Sequence, residues 1–203
     1  MPDPAVSDPA AWLAAAPLLT PRLRLEPLRV EHAQEAVPVF ADIRLHTWTG
    51  GEPRSFAQLK AQYRRQSVGR SPDGTQGWLN WMLRRVSDGQ LVGTVQATLT
   101  RPITGGIEAA LAWVVGVDHQ RNGYAREGAL TMAHWLREQG VDQLVAHIHP
   151  GNDASVAVAR TLGLNPSDTM LDGEVRWIDS GGPGEGSTTG MATRTVRAGT
   201  GIR

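Results

Sequence analysis

The chain has 203 residues, which is enough for one domain of ordinary size with tails at its ends. Twenty acidic and twenty basic side chains give a formal net charge of zero, which argues against a nucleic-acid partner bound through a strong overall basic field. The absence of cysteine excludes disulfides, thiolate catalysis, an acyl-cysteine intermediate and cysteine-based zinc sites.

The two ends of the chain are predicted to lie outside one packed domain at residues 18–179. Residues 1–17 are expected to be a flexible extension, in which Asp8–Ala15 could form a short helix. Residues 180–203, rich in Gly, Ser and Thr, are expected to be a disordered tail. No apolar run approaches the roughly 20 residues that span a bilayer, and no secretory signal is recognisable. We therefore expect a cytoplasmic protein without a membrane partner.

The first part of the domain is predicted to hold one strand and two helices. Apolar and charged residues alternate along Leu23–Leu28, as in a strand. A helix is predicted from Arg29 to about Phe40, with Pro38 disturbing its second half. A second helix is predicted over Ser55–Gln66, because Ser55 can cap it and its apolar residues recur at helical spacing. The segment His46–Gly51 between the helices is predicted to be a loop.

Three strands are predicted to follow as a meander. Trp78–Val86 and Leu91–Leu99 are rich in residues typical of strands and are joined by an Asp-Gly turn. A break at 101–106 leads into a central strand that begins near Ile107 and includes the apolar run Leu111–Val117.

The stretch after the central strand is predicted to be a tight polar turn and then a helix to about Gln139. The first turn of a helix leaves backbone N–H groups without intrahelical acceptors, and the helix dipole adds positive charge there. Gly123 has no side chain to block a ligand, and Arg121 and Arg126 add positive charge. These features predict a phosphate or pyrophosphate bound to the amides of residues 121–126.

The rest of the domain is predicted to form a strand, a helix and a last strand. The strand covers Gln143–His149, and Pro150-Gly151 ends it. The helix covers Asn152–Leu162, with Gly163 as its stop signal. The last strand covers Gly173–Ile178.

Two motifs carry a resemblance to a known family. Residues 120–125, Gln-Arg-Asn-Gly-Tyr-Ala, resemble the Arg/Gln-x-x-Gly-x-Gly/Ala signature of the GNAT superfamily of N-acetyltransferases. Asn152-x-x-Ser155, followed by Leu-Gly-Leu at 162–164, resembles its second motif, and the flanking sequence is most similar to the RimJ/RimL-like branch. The resemblance covers about residues 20–178. It implies an α/β (α+β) fold with a central mixed, mostly antiparallel sheet flanked by helices, whose splayed central strands hold acyl-CoA.

The resemblance also implies where acetyl-CoA would bind. In the family, the polar turn holds the pyrophosphate, a strand edge bonds the pantetheine arm, and an N–H polarises the thioester carbonyl. The expected cofactor-binding residues are Val115 and Val117 through their backbones, Gln120, Arg121, Asn122, Gly123, Tyr124, Ala125, Arg126 and Asn152. For Asn152 the competing interpretation is a plain helix N-cap.

Two residues are expected to take part in catalysis. Glu108, in an otherwise uncharged stretch, is the candidate base for the acceptor amine, since related enzymes often place a catalytic Glu in this strand. The alternative is a strand-end carboxylate facing solvent. Ser155 could donate to the departing thiolate, or be a helix-surface hydroxyl. The general-acid tyrosine of many family members has no counterpart, because the chain has only Tyr63 and Tyr124.

His46 and Trp48 are the candidate acceptor contacts, because in the GNAT fold the two early helices and their loop form one wall of the acceptor pocket. Loop and packing roles are the alternative for both residues. His147 and His149 would lie on one strand face, as a metal pair could, but no third ligand is placed by the sequence. No metal site is therefore predicted, and these are interpreted as structural or pocket histidines.

The predicted function is an acetyl-CoA-dependent N-acetyltransferase that moves the acetyl group directly to a primary amine, either a protein N-terminus or a small molecule. A non-catalytic acyl-CoA-binding module is the alternative. A nucleotide-binding domain of another family is disfavoured by the meander before the helix. A nucleic-acid partner is not expected, and either a monomer or a homodimer fits the sequence.

Overall fold

A computed structural model of the protein describes residues 11–179. The strands are β1 (Leu18–Leu19), β2 (Leu23–Pro27), β3 (Gly77–Arg85), β4 (Leu91–Thr100), β5 (Glu108–Val115), β6 (Gln143–Ile148), β7 (Leu164–Leu171) and β8 (Glu174–Asp179). The α-helices are α1 (His32–Phe40), α2 (His46–Thr49), α3 (Phe56–Gln66), α4 (Tyr124–Glu138) and α5 (Asp153–Thr161). The predicted tail at 180–203 lies outside the described residues.

All eight strands form one sheet in the order β1-β2-β3-β4-β5-β6-β8-β7. The β5–β6 pair is parallel, and the other neighbours are antiparallel. The predicted mixed, mostly antiparallel sheet is therefore confirmed. The crossover from β5 to β6 runs through α4, as a parallel pair requires.

The two central strands separate soon after they begin. β5 and β6 pair at only three positions, the last of which joins Ala110 to Val145. Beyond that position β5 continues to Val115 and β6 to Ile148 without pairing each other. The predicted splay is confirmed, and it leaves an opening, here called the cleft, between the carboxyl-terminal halves of the two strands.

Helices cover both faces of the sheet. The apolar side of α4, including Met132 and Leu136, packs in a cluster that contains Leu83 of β3. Neighbouring strand residues point to opposite faces, and Met82 accordingly packs with α1 and α3 in a second cluster. Each fully buried side chain of this kind contributes roughly 1.5–3 kcal/mol to folding. The sheet thus has an α4/α5 face and an α1/α3 face.

Residues 11–17 have no regular structure, so the short helix predicted within Asp8–Ala15 does not form over its described residues. The Trp12 indole N–H donates to the Gly74 carbonyl at 2.9 Å, and the Arg101 guanidinium lies 3.9 Å from the Trp12 ring centroid. The Ala16 carbonyl accepts the indole N–H of Trp81 at 2.7 Å. Because of these contacts, the packed domain begins before residue 18, where its start was expected.

Several elements were not predicted, and α2 and β7 are the ones that bear on the site and the sheet. The segment 46–49, expected to be loop, forms the short helix α2. β7 was missed because its sequence, with Pro166 and several polar residues, lacks strand alternation. β7 forms because its backbone pairs with β8, and the register is irregular between Pro166 and Met170. Pro38, expected to disturb α1, is accommodated in a helix that continues to Phe40.

A buried polar network joins β2, β3 and α1. Arg84 binds Glu26 at 3.0 Å and Glu35 at 2.8 Å. His32 is 2% exposed; its Nδ1 accepts the Arg29 amide N–H at 3.1 Å, and its Nε2 lies 3.4 Å from the Glu26 carboxylate. Burial, followed by the Arg29 charge, lowers the pKa of His32. Burial raises the pKa of Glu26, but hydrogen bonds from Arg84 and Arg24 outweigh it, and the net shift is downward.

We expect this network to make the fold sensitive to acid. The unfolded chain takes up protons at the ordinary pKa values, about 6.5 for His and 4.3 for Glu, before the folded chain does. The free energy of unfolding should therefore fall from pH 7 to pH 5 through His32, and further below pH 5 through Glu26. Urea denaturation at each pH measures this free energy. His32→Gln should flatten the curve between pH 7 and pH 5, although not completely, because the pKa of His147 is also lowered and contributes over the same range. A wild-type curve that is flat from pH 7 to 5 would contradict this assignment.

Candidate active site

The polar turn between β5 and α4 has the backbone of an open helix start. Two of its residues have positive φ, Arg121 at 61° and Gly123 at 79°. Gly123 is the N-cap of α4, and no side chain caps the helix there. The first amides of this 15-residue helix are therefore open to a ligand, with the positive end of the helix dipole behind them. The predicted strand, turn and helix are confirmed.

Side chains of the turn brace its own backbone. Gln120 donates from Nε2 to the Val115 carbonyl at 3.1 Å. Asn122 donates from Nδ2 to the carbonyls of His119 and Gln120 at 3.1 and 3.0 Å. Tyr124 is buried in the α4 cluster. These three side chains hold the turn in shape, which leaves the amides and the exposed Arg121 as the groups that face outward.

Arg22, which sequence reasoning missed, fastens the turn from the segment between β1 and β2. It donates to the Asn122 carbonyl at 2.9 Å and to the Glu127 carboxylate at 2.7 Å, and its guanidinium lies 5.3 Å from the Tyr124 ring centroid. Burial raises the pKa of Glu127, but hydrogen bonds from Thr20 and Arg22 lower it by more. Arg22 thus neutralises the charge of Glu127, which would otherwise repel an anion bound at the turn. The sequence signal that could have pointed to Arg22 is the tripeptide Thr-Pro-Arg at 20–22.

One edge of β5 lies along the cleft without a partner strand among residues 11–179. The Gly116 N–H bonds the Val92 carbonyl of the β4 side, whereas the Ile107 carbonyl accepts from the β6 side. Backbone groups alternate in direction along a strand, so those of odd-numbered residues, Trp113 and Val115 among them, face the cleft. Trp113 was not predicted as a cofactor contact. It lies two residues before Val115 in β5, so its backbone groups face the same edge of the strand. Val117 lies beyond the strand in a short 3₁₀ helix, and its carbonyl accepts the Gln120 N–H.

Glu108 lies in the closed part of the sheet on the α1/α3 face. It pairs with Gln143 before the strands separate, and its carboxylate binds Arg176 of β8 at 2.7 Å. Its side chain is 21% exposed, so it is neither a free solvent-facing carboxylate nor an unpaired one. Along β5, about 16 Å separates Glu108 from Trp113 at roughly 3.3 Å per residue.

His147 lies closer to the open part of the cleft. It is two residues beyond the last β5–β6 pair, across the cleft from Ala112, and it pairs with Arg176 in the β6–β8 register. By strand alternation it shares the α1/α3 face with Glu108. Burial lowers the pKa of His147, the Arg176 charge lowers it further, and Glu108 opposes both. The imidazole is therefore neutral at pH 7 and able to accept a proton.

Asn152 and Ser155 begin α5 directly after β6. The Asn152 Oδ1 accepts the Ser155 N–H at 3.1 Å, so Asn152 has the N-cap role. Both residues are half-buried. Their position at the carboxyl end of β6 places them at the open end of the cleft, opposite the turn that follows β5.

The end of α1 and the segment that follows it cross this open end. A Cβ on Gly116, just after β5, would lie 2.8 Å from the Val39 side chain of α1. A Cβ on Gly151, just after β6, would lie 3.1 Å from Trp48, whose ring is also 5.0 Å from that of His149. Trp48 therefore packs over the end of the second strand of the cleft, against His149.

A pocket lies on the α1/α3 face beside the cleft. Its floor is formed by strand residues, namely Asn80, Thr94, Gln96 and Val114. Its walls come from α1 and α3, including Val37, Phe40, Leu59, Gln62 and Tyr63. His46 and Arg54 line it as well. The structure therefore places His46 at the pocket, whereas Trp48 lies outside its lining.

Comparison with protein families gives one match. The acetyltransferase (GNAT) domain family matches residues 22–165, a range that includes the turn, the cleft and the pocket residues. No curated protein matches the chain in sequence.

Several solved structures with similar folds are named as acetyltransferases. One from Bacillus anthracis, of the GNAT family, has a TM-score of 0.64 at 12% identity over 80% of this chain and 96% of its own. One from Agrobacterium tumefaciens has a TM-score of 0.60 at 24% identity, with 83% and 96% covered. RimL, a ribosomal L7/L12 alpha-N-protein acetyltransferase in complex with coenzyme A, has a TM-score of 0.62 at 15% identity over 78% of this chain and 92% of its own. At these identities the likenesses show a shared fold.

Proposed function

Because this chain belongs to the GNAT family of acetyltransferases, we propose that it transfers the acetyl group of acetyl-CoA directly to a primary amine. The observation that carries the proposal is the separation of β5 and β6 beside the uncapped start of α4. This arrangement offers an anion site and an open strand edge next to each other. A cofactor with a pyrophosphate and an amide-containing arm needs both.

Residues of the turn and of β5 would hold the cofactor. The amides of residues 121–126 bind the pyrophosphate, with Arg121 and Arg126 adding charge. The cleft-facing N–H of Val115 bonds the pantetheine arm, since the Val115 carbonyl accepts from Gln120, and Asn152 contacts the arm from the end of β6. The Trp113 N–H polarises the thioester carbonyl, a role that can contribute several kcal/mol to transition-state stabilisation. Val117, just beyond the strand, contacts the arm nearer the pyrophosphate.

The acceptor amine must lose a proton to attack, since the protonated form has no free lone pair. In the proposed reaction His147 takes that proton, because it lies across the cleft from Ala112 and is neutral at pH 7. Glu108 lies on the same face, paired with Arg176, and its negative charge favours the protonated form of His147. The amine nitrogen bonds the acetyl carbon, the C–S bond breaks, and the CoA thiolate leaves toward Ser155.

The proposed reaction is tested by measuring thiol release from acetyl-CoA with a panel of primary amines. The protein has no cysteine, so every thiol detected with a disulfide reagent comes from CoA. We expect amine-dependent release. With labelled acetyl-CoA and no amine, we expect no label on the denatured protein, because transfer occurs in a ternary complex.

Two results would contradict the proposal. Label that survives denaturation would show a covalent acetyl-enzyme. Acetyl-CoA binding with no release for any amine would favour the acyl-CoA-binding module.

A further inference from the structure

The pocket beside the cleft has a positive side chain and no negative one. Of the residues that line it in the described part of the chain, none is Asp or Glu. Arg54, which precedes α3, is the permanently charged residue among them. A polyamine or another polycation would find no counter-ion in such a pocket and would be repelled by Arg54.

Arg54 is half-buried and lacks a counter-ion. Within residues 11–179, no carboxylate lies within ion-pair distance of it. The nearby charge is another cation, Arg65, and burial lowers the pKa of Arg54 further than Arg65 does. A half-buried guanidinium without a carboxylate beside it favours the binding of an anion. A ligand can supply that anion, since none of the described residues does.

In the same pocket, the side-chain oxygen of Gln62 is a second polar group without a partner among the residues described. Its side chain is buried, with 7% of the residue exposed, and its Oε1 has no hydrogen-bond partner. A buried acceptor without a partner is unfavourable. It would be satisfied by an N–H of a bound molecule, and an amine or amide nitrogen is such a donor.

Apolar side chains, Val37, Phe40 and Leu59 among them, form much of the rest of the walls, beside a floor that includes the polar Asn80 and Gln96. The pocket floor reaches Val114, the neighbour of the two residues whose backbones face the cleft. A molecule in the pocket would therefore lie beside the strand edge that we propose holds the acetyl end of the cofactor.

We infer that the acceptor is a small amine that carries a carboxylate, an apolar α-amino acid in its simplest form, whose carboxylate binds Arg54 and whose N–H groups face Gln62. This inference rests on the proposed acetyl transfer and names its substrate class. It differs from a polycationic amine and from a protein N-terminus, neither of which brings a carboxylate close to the amine.

The test compares matched acceptors that differ in the carboxylate alone: L-leucine with 3-methylbutylamine, and L-phenylalanine with 2-phenylethylamine. We expect the wild type to prefer the amino acid in each pair by about 10- to 100-fold in kcat/KM, the size of one charge-assisted hydrogen bond or ion pair in a partly buried site. Arg54→Gln should remove this preference, and Arg54→Lys should keep part of it. Comparing the same pair across variants cancels the difference between the pKa values of the two amines.

Arg64→Gln is the matched control, because Arg64 is exposed on α3 and does not line the pocket, and its substitution removes the same charge. This variant should leave the preference unchanged. The inference is overturned if the wild type uses the decarboxylated amine equally well, if Arg54→Gln keeps the preference, or if only a peptide N-terminus is acetylated.

Calorimetry separates failure of the inference from failure of the proposed reaction. If no amine of any kind is acetylated, N-acetyl-L-leucine and N-acetyl-3-methylbutylamine are titrated into the protein with and without CoA. Binding of the first compound alone, lost in Arg54→Gln, would retain the carboxylate site while the reaction fails. Equal binding of both compounds, or binding of neither, would overturn the site.

Discussion

Gly123→Glu is expected to abolish CoA binding. The residue has a φ of 79°, where a side chain costs roughly 1–2 kcal/mol. A Cβ there would lie 3.4 Å from Arg22 Nη2, within the turn that we propose holds the pyrophosphate. The new carboxylate would meet the phosphate charges directly and occupy the amides that bind them. Titration calorimetry with CoA should show an affinity at least about 100-fold weaker, since two unit charges at contact distance interact by several kcal/mol near a protein surface.

Gly140→Glu is the matched control for this experiment. Gly140 follows the other end of α4, has a φ of 81° and has nothing within 4 Å of the position that a Cβ would take. The variant therefore carries the same backbone strain and the same charge but lies one helix length from the turn. CoA should bind it as it binds the wild type. Equal binding by wild type and Gly123→Glu would remove the turn from the CoA site, and no binding by the wild type would overturn the proposed function.

His147→Gln is expected to lower kcat by about 10²- to 10⁴-fold, the usual contribution of a general base. CoA affinity should not change, because the substituted side chain lies on the α1/α3 face and not in the turn. In the wild type, kcat/KM should fall as the pH drops through the pKa of His147, which lies below the ordinary 6.5. That acid limb should be absent in His147→Gln, because glutamine does not titrate.

Glu108→Gln and His134→Gln complete the comparison. Glu108 is paired with Arg176 in the closed part of the sheet, so its loss should cost less than that of His147, about tenfold for a nearby charge that favours the protonated imidazole. His134 is exposed on α4, with 77% of its side chain accessible, and its replacement should have no effect. A larger loss in Glu108→Gln than in His147→Gln would make the carboxylate the base. Unchanged turnover in both variants would exclude both residues.

The pocket on the α1/α3 face, where we propose that the acceptor binds, shows how far sequence reasoning reached. The resemblance predicts His46 as an acceptor contact, and the structure has His46 in the lining of this pocket. Arg54 and Gln62 gave no signal, because an arginine before a helix and a glutamine on it are ordinary surface residues in a sequence. Their proposed role is inferred from burial and from the lack of a hydrogen-bond or ion-pair partner among the described residues. Both properties depend on what α3 packs against.

The sequence determined the parts of this protein whose cause is local. Strand alternation, Ser55 as a helix cap, the polar turn at 120–125 and the Gly163 stop each act over a few residues, and all four elements formed where predicted. The tertiary structure alone decided the cleft edge, the ion pair of Glu108, the position of His147 and the contacts of Arg22 with the turn. The Glu108–Arg176 and Arg22–Glu127 contacts join residues that lie 68 and 105 positions apart in the chain. Such contacts are fixed by the register of the sheet and by where β5 and β6 part, neither of which is encoded in the spacing of neighbouring residues.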